Sequence, residues 1–150
     1  MLTDALLAWL HFLLAFLLVG TLVAEAFILR LPVDGRVARL LARADLFYGI
    51  AAAVLIAVGL SRVIWGLKGW TYYESQPFFW AKMLTFAVIG LMSVVPTRAF
   101  LRWNKAAKAS PSFEAPEPEV SRVRRLVVAE THFVALLLLF AVLMSRGIGA

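Results

Sequence analysis

LLAWLHFLLAFLLVGTLVAEAFIL, residues 6–29, decides the architecture. His11 and Glu25 are its only ionisable side chains, and the run is long enough to cross a bilayer core, which takes about 20 helical residues. Hydrocarbon offers no water to backbone N–H and C=O groups, so such a run must satisfy them internally, as a helix. It exceeds the roughly 7–15 apolar residues of a secretory signal core, and no basic residue precedes it. Arg30 follows it, as at the end of a retained helix.

Three more apolar runs follow, at 46–64, 78–100 and 126–144. The expected helices are about 5–29, 46–65, 78–101 and 124–145. Together they make one transmembrane domain over 1–150, an all-α integral membrane four-helix bundle. Composition agrees, with 63% hydrophobic residues and a mean hydropathy of +0.88. A soluble domain is about 45–50% apolar. The absence of cysteine excludes disulfides, thiolate metal sites and a cysteine nucleophile. The net charge of +6 is gathered at the ends of the apolar runs, a pattern of membrane topology and not of nucleic-acid binding.

Segments 30–45 and 98–125 hold eleven of the 15 basic residues. The positive-inside rule then puts both termini on the outer, periplasmic side of a bacterial inner membrane crossed by several spans. Trp9, Trp65, Trp70, Tyr72, Tyr73 and Trp80 fall near the outer interface, and Tyr48 and Trp103 near the inner one, levels that amphipathic rings prefer. The stretch 104–121, rich in Ala, Ser, Pro and Glu, reads as a flexible cytoplasmic linker. Segment 66–77 reads as a short outer excursion. On the second helix Gly49, Ala53 and Ala57 recur every four residues, a spacing that lets helices approach closely.

An ionisable residue within a span costs roughly 2.5–3.5 kcal/mol on insertion scales, so each one needs a reason. His11, Leu14, Leu18, Leu22 and Glu25 form one stripe of the first helix, expected to face the bundle interior. His11 is a candidate haem or metal ligand or proton relay; the alternative is a histidine bonded to a neighbouring helix. Lys82 opens the third helix and is a candidate partner for a carboxylate or haem propionate, or snorkels to headgroups. Arg62 ends the second helix at a similar depth, so His11, Arg62 and Lys82 are expected to approach one another. Three potential cations need an anion or a neutral member among them. Of Glu130 and His132 in the fourth helix, two residues apart, one is expected to face inward. His132 lies roughly 15 Å from His11 in depth, too far for one haem to join both. Arg98 either pairs with Glu25, Asp45 or Glu130 or simply sets topology. No nucleophile triad, phosphate loop or HExxH motif is present.

The first helix, LAWLHFLLAFLLVGTLVAEAFILRLP, and the third, FWAKMLTFAVIGLMSVVPTRAFLRW, resemble a set of small bacterial four-helix membrane proteins. The set includes the HemJ-type protoporphyrinogen oxidases, the copper-resistance D domain and a family of predicted membrane proteins that this chain is expected to join. HemJ-type enzymes are b-type haem proteins. Their early first-helix histidine is matched by His11, and their Trp–Lys stretch by Trp80 and Lys82. Their further histidines, one after the first helix and one toward the end of the third, have no match, since Val95, Pro96 and Thr97 stand in the latter region, and His132 is not explained by their pattern.

Two functional readings follow. One is a haem b redox protein, with His11 as axial ligand, Arg62 and Lys82 on the propionates, His132 as a further candidate, and an electron-transfer partner. The other is a non-enzymatic membrane module, transporter-like or accessory, acting through helix contacts or as a homo-oligomer. Both are surrounded by lipid and neither involves nucleic acid.

Overall fold

Asp34 starts the second helix by accepting backbone N–H groups of Arg36 and Val37 on its carboxylate, at 2.9 and 2.8 Å. Such a cap satisfies donors that the first helical turn leaves unpaired. Pro77 begins the fourth helix, where a missing N–H is harmless. The computed structural model describes residues 2–66 and 69–148, and its elements are α1 (Leu2–Ile28), α2 (Gly35–Trp65), α3 (Gly69–Glu74), α4 (Pro77–Ala109) and α5 (Glu117–Ser145). Four of these, α1, α2, α4 and α5, are long and apolar enough to cross a membrane. No strand occurs among the described residues, only an isolated bridge between Asp34 and Glu114.

The four long helices pack in the cyclic order α1, α2, α4, α5, with α1 on α2 and α4 on α5 as the broadest seams. Leu18, Leu22, Leu55, Ile89 and Val134 fill the middle of the bundle. Outside, Phe16, Leu84 and Leu91 are among a wide belt of exposed apolar side chains. In water that surface would aggregate; against acyl chains it is matched. The protein is therefore an integral membrane helical bundle in contact with lipid. Because lipid is as apolar as leucine, packing and polar contacts, not hydrophobicity, bring the helices together within it.

The arginine-rich segments share one end of the bundle, termed here the basic end. There the helices run on past the apolar spans. α2 starts at Gly35 and not at 46, α4 continues to Ala109, and α5 starts at Glu117. The expected flexible linker at 104–121 is corrected accordingly. It is mostly helix, and its connection is pinned by the Ala115 N–H donating to the Val33 carbonyl at 3.0 Å. Ala107, Ala115 and Val120 are buried there with Val33, Leu41, Phe100 and Trp103. On α4 Phe100, Trp103 and Ala107 recur at helical spacing among residues that face water, so a polar composition hides an amphipathic pattern. Arg102 and Glu119 form an exposed ion pair between α4 and α5, a contact of little energetic weight.

At the opposite end, α3 occupies the expected excursion, of which Leu67 and Lys68 lie outside the described residues. Tyr73 and Phe79 bury against Val63, and Trp70 meets Phe79 and Trp80 edge-on, with centroids 6.3 Å apart in both pairs. Trp9, Trp65, Trp70 and Trp80 are exposed, as interfacial rings should be. Tyr48 and Trp103 are not; at 6% and 2% exposure they belong to the interior. The stripe Gly49, Ala53 and Ala57 also departs from expectation. It faces outward, and α2 turns Ala51, Leu55 and Val58 into the bundle instead.

Candidate functional site

Two polar clusters interrupt the apolar interior. The first lies in the half of the bundle away from the basic end. His11 of α1 packs against α2 at Gly59, where a methyl group would stand 3.5 Å from the ring Cε1. That is an ordinary van der Waals distance, so the imidazole lies directly against this part of α2. Arg62 lies about one turn further along α2, in its last turn. Lys82 of α4 places Nζ 5.6 Å from the centroid of Phe79, a cation–π distance. Arg62 and Lys82 are the two charges that act on His11, and Arg62 acts on Lys82. His11 Nδ1 and Arg62 Nε are buried without a hydrogen-bond partner. Gln76, just before α4, is 1% exposed with both amide atoms likewise unpartnered.

The second cluster lies toward the basic end. Glu25 of α1 and Glu130 of α5 are each 1% exposed, and Asp45 of α2 is 7% exposed. Asp45 is among the charges acting on both glutamates, and Tyr48 of α2 feels all three carboxyls. Thr97 of α4 donates its hydroxyl to Asp45 Oδ1 at 2.8 Å. Glu25 Oε1 and Glu130 Oε1 have no hydrogen-bond partner, and among the described residues none of the three carboxyls forms an ion pair. Arg98 is exposed, and among the described residues no ion pair joins it to them.

The α1 stripe faces inward, with Leu18, Leu22 and Glu25 buried. Of the pair on α5, Glu130 is the inward member. His132 is exposed on the outside of the bundle, its Nδ1 2.7 Å from the Val128 carbonyl. It is therefore separate from the cluster that contains His11. Sequence alone did not single out Asp45, Thr97 or Gln76 as site residues. Asp45 stands one residue before the second apolar run and reads as a loop charge, while Thr97 follows Pro96 and gives no signal of its own. Among the described residues no group of three His, Cys, Asp or Glu side chains is arranged to hold a metal ion.

Four membrane-crossing helices enclosing paired polar clusters define a polytopic membrane bundle. A family model described as "Predicted membrane protein (DUF2214)" matches residues 3–149, and the chain belongs to that family. No curated protein and no solved structure matches the chain.

Proposed function

We propose that the His11–Arg62–Lys82 cluster binds the anionic group, carboxylate or phosphate, of a ligand that resides in the membrane. The observation that carries this reading is the pair of buried, unpartnered atoms His11 Nδ1 and Arg62 Nε beside a third basic group, Lys82. A buried polar atom left unpaired costs about 1–3 kcal/mol. An anion seated among the three side chains would remove that cost and offset the like charges.

Two sources carry this chemistry. One is haem b, with propionates on Arg62 and Lys82 and His11 as axial ligand, which would give the protein a redox role. When bound, haem supplies one-electron chemistry; the three side chains supply ligation and charge. The donor set fits such a group, while the space in the core is small. The cavity one turn inward from His11, lined by Ala15, Leu18, Leu55 and Phe86, measures about 30 Å³. The other source is a lipid phosphate, with the protein as a non-enzymatic module.

Titration of the purified protein with haemin, and separately with phosphatidylglycerol against phosphatidylcholine, tests the reading. A haem source gives a Soret band that His11→Ala abolishes and Lys82→Met weakens. A lipid source gives selective phosphatidylglycerol binding that falls about tenfold in Arg62→Gln, the loss of one charge-assisted contact. Binding of neither ligand contradicts the proposal.

We also infer that the basic end is cytoplasmic and both termini periplasmic, from the gathering of arginines at one end. A phosphatase reporter fused after Ala150 should be active outside and one inserted in 110–116 inactive. Cytoplasmic activity from an Ala150 fusion contradicts that orientation.

A further inference from the structure

An apolar groove of about 500 Å³ runs between α2 and α4 on the lipid-facing side of the bundle. Residues three or four apart on a helix share a face, so each wall can be followed past the end of the groove. On α2 the wall contains Gly49, Leu46 and Ala42, and the next position on that face is Arg39. On α4 it contains Ser93, Thr97 and Leu101, and the next positions are Lys105 and Lys108. The two walls stay together there. A methyl group on Gly35 of α2 would stand 3.5 Å from Ala107 Cβ of α4 and 3.6 Å from the Arg39 guanidinium. Arg39, Lys105 and Lys108 are exposed, and among the described residues none of them forms an ion pair.

Their height above the bilayer core fits a headgroup. Arg39, Lys105 and Lys108 stand roughly 8–12 Å along their helices beyond Leu46 and Phe100, where the apolar runs end. The headgroup layer of each leaflet is roughly 5–8 Å deep, and long basic side chains bend toward it. A basic patch alone suits any anion, and an apolar groove alone suits any acyl chain. Here the patch continues the groove, and an anionic phospholipid carries both parts in that order. Asp45, a carboxyl at this end of the groove, is 7% exposed and accepts the Thr97 hydroxyl. It lies about 9 Å along α2 from Arg39, on the side of the acyl chain.

We propose that the α2–α4 seam seats an anionic phospholipid of the leaflet at the basic end, with an acyl chain in the groove and the phosphate held by Arg39, Lys105 and Lys108. The site is at the opposite end from the His11 cluster and on the outside of the bundle, so either can fail without the other. Open to the bilayer along its length, it exchanges its lipid with the surrounding membrane and is emptied by detergent extraction.

Phosphatidylglycerol and phosphatidylcholine that carry the same photoreactive diazirine in one acyl chain separate headgroup charge from shape. Each is mixed at trace level into phosphatidylcholine nanodiscs holding the whole protein, and labelled peptides are mapped by mass spectrometry. Capture at the His11 cluster maps to α1, so the two sites are read apart. The anionic probe should label the groove walls, 42–56 and 86–101, at least about fivefold more than the zwitterionic one, as expected for one basic contact at a membrane surface. Arg39→Gln/Lys105→Gln/Lys108→Gln should bring the two probes level. Arg122→Gln/Arg125→Gln removes exposed charges of α5 at the same end and should keep the preference. Gly90→Leu leaves every charge in place and fills the groove, where an added methyl group meets nothing within 4 Å, and it should lower labelling by the anionic probe. Equal labelling by the two probes in the parent, a preference that survives the triple variant or is lost as fully in the α5 variant, or undiminished labelling in Gly90→Leu would overturn the proposal.

Discussion

Trp103→Ala is expected to lower the stability of the detergent-solubilised protein by about 3–5 kcal/mol, the usual range for truncating a large buried aromatic. Trp103 is 2% exposed and packs beside Phe100, with ring centroids 5.8 Å apart, on the stretch of α4 at the basic end, where α4 lies between α2 and α5. Its Nε1 has no hydrogen-bond partner. The loss is therefore one of packing and cavity formation alone, and Trp103→Phe should retain most of the stability. Trp65, 76% exposed, provides the control: Trp65→Ala should stay within about 0.5 kcal/mol of the parent. Thermal unfolding followed by circular dichroism reads all three. A Trp103→Ala variant no less stable than Trp65→Ala would mean that the helical extensions of the basic end do not pack as described.

The second large effect has the opposite sign. Glu130→Leu should raise stability by about 1–3 kcal/mol, because the glutamate leaves a buried oxygen unpaired and a leucine of similar size does not. Glu25→Leu should behave alike. Such a gain would mark both glutamates as groups that the fold does not need for its stability. The same unfolding assay decides. A marked loss of stability in both variants would assign the two glutamates to structural hydrogen bonding and remove that argument.

How much of this was legible in the sequence depends on distance along the chain. The four spans were, because about 20 uninterrupted apolar residues admit few other structures. The inward stripe of α1 was too: His11 and Glu25 lie fourteen residues apart, close to four turns, and one helix determines their common face. The approach of His11, Arg62 and Lys82 followed from depth, since each lies near the same end of its helix. The acidic cluster was less visible. Glu25 and Glu130 stood out as charges within apolar runs, but Asp45 belongs with them only through the packing of α2 on α1 and α4. Its hydrogen bond to Thr97 joins residues 52 positions apart, and no local pattern marks it. The basic end was misread for a different reason. Its anchors, Ala107, Ala115 and Val120, are small and isolated among Ser, Pro, Glu and Arg. Composition there indicates solvent, while helical spacing indicates burial on one side, and spacing is the better guide.

The central claim is that side chains from three helices assemble an anion site in the half of the bundle away from the arginine-rich loops. Native mass spectrometry of the protein extracted gently from its own membrane tests it most directly. The wild-type chain should retain one bound anionic species, of haem or phospholipid mass, after the detergent is stripped, and the Arg62→Gln/Lys82→Met double variant should appear as the bare chain. A bare wild-type chain, or an adduct that the double variant keeps undiminished, would contradict the account.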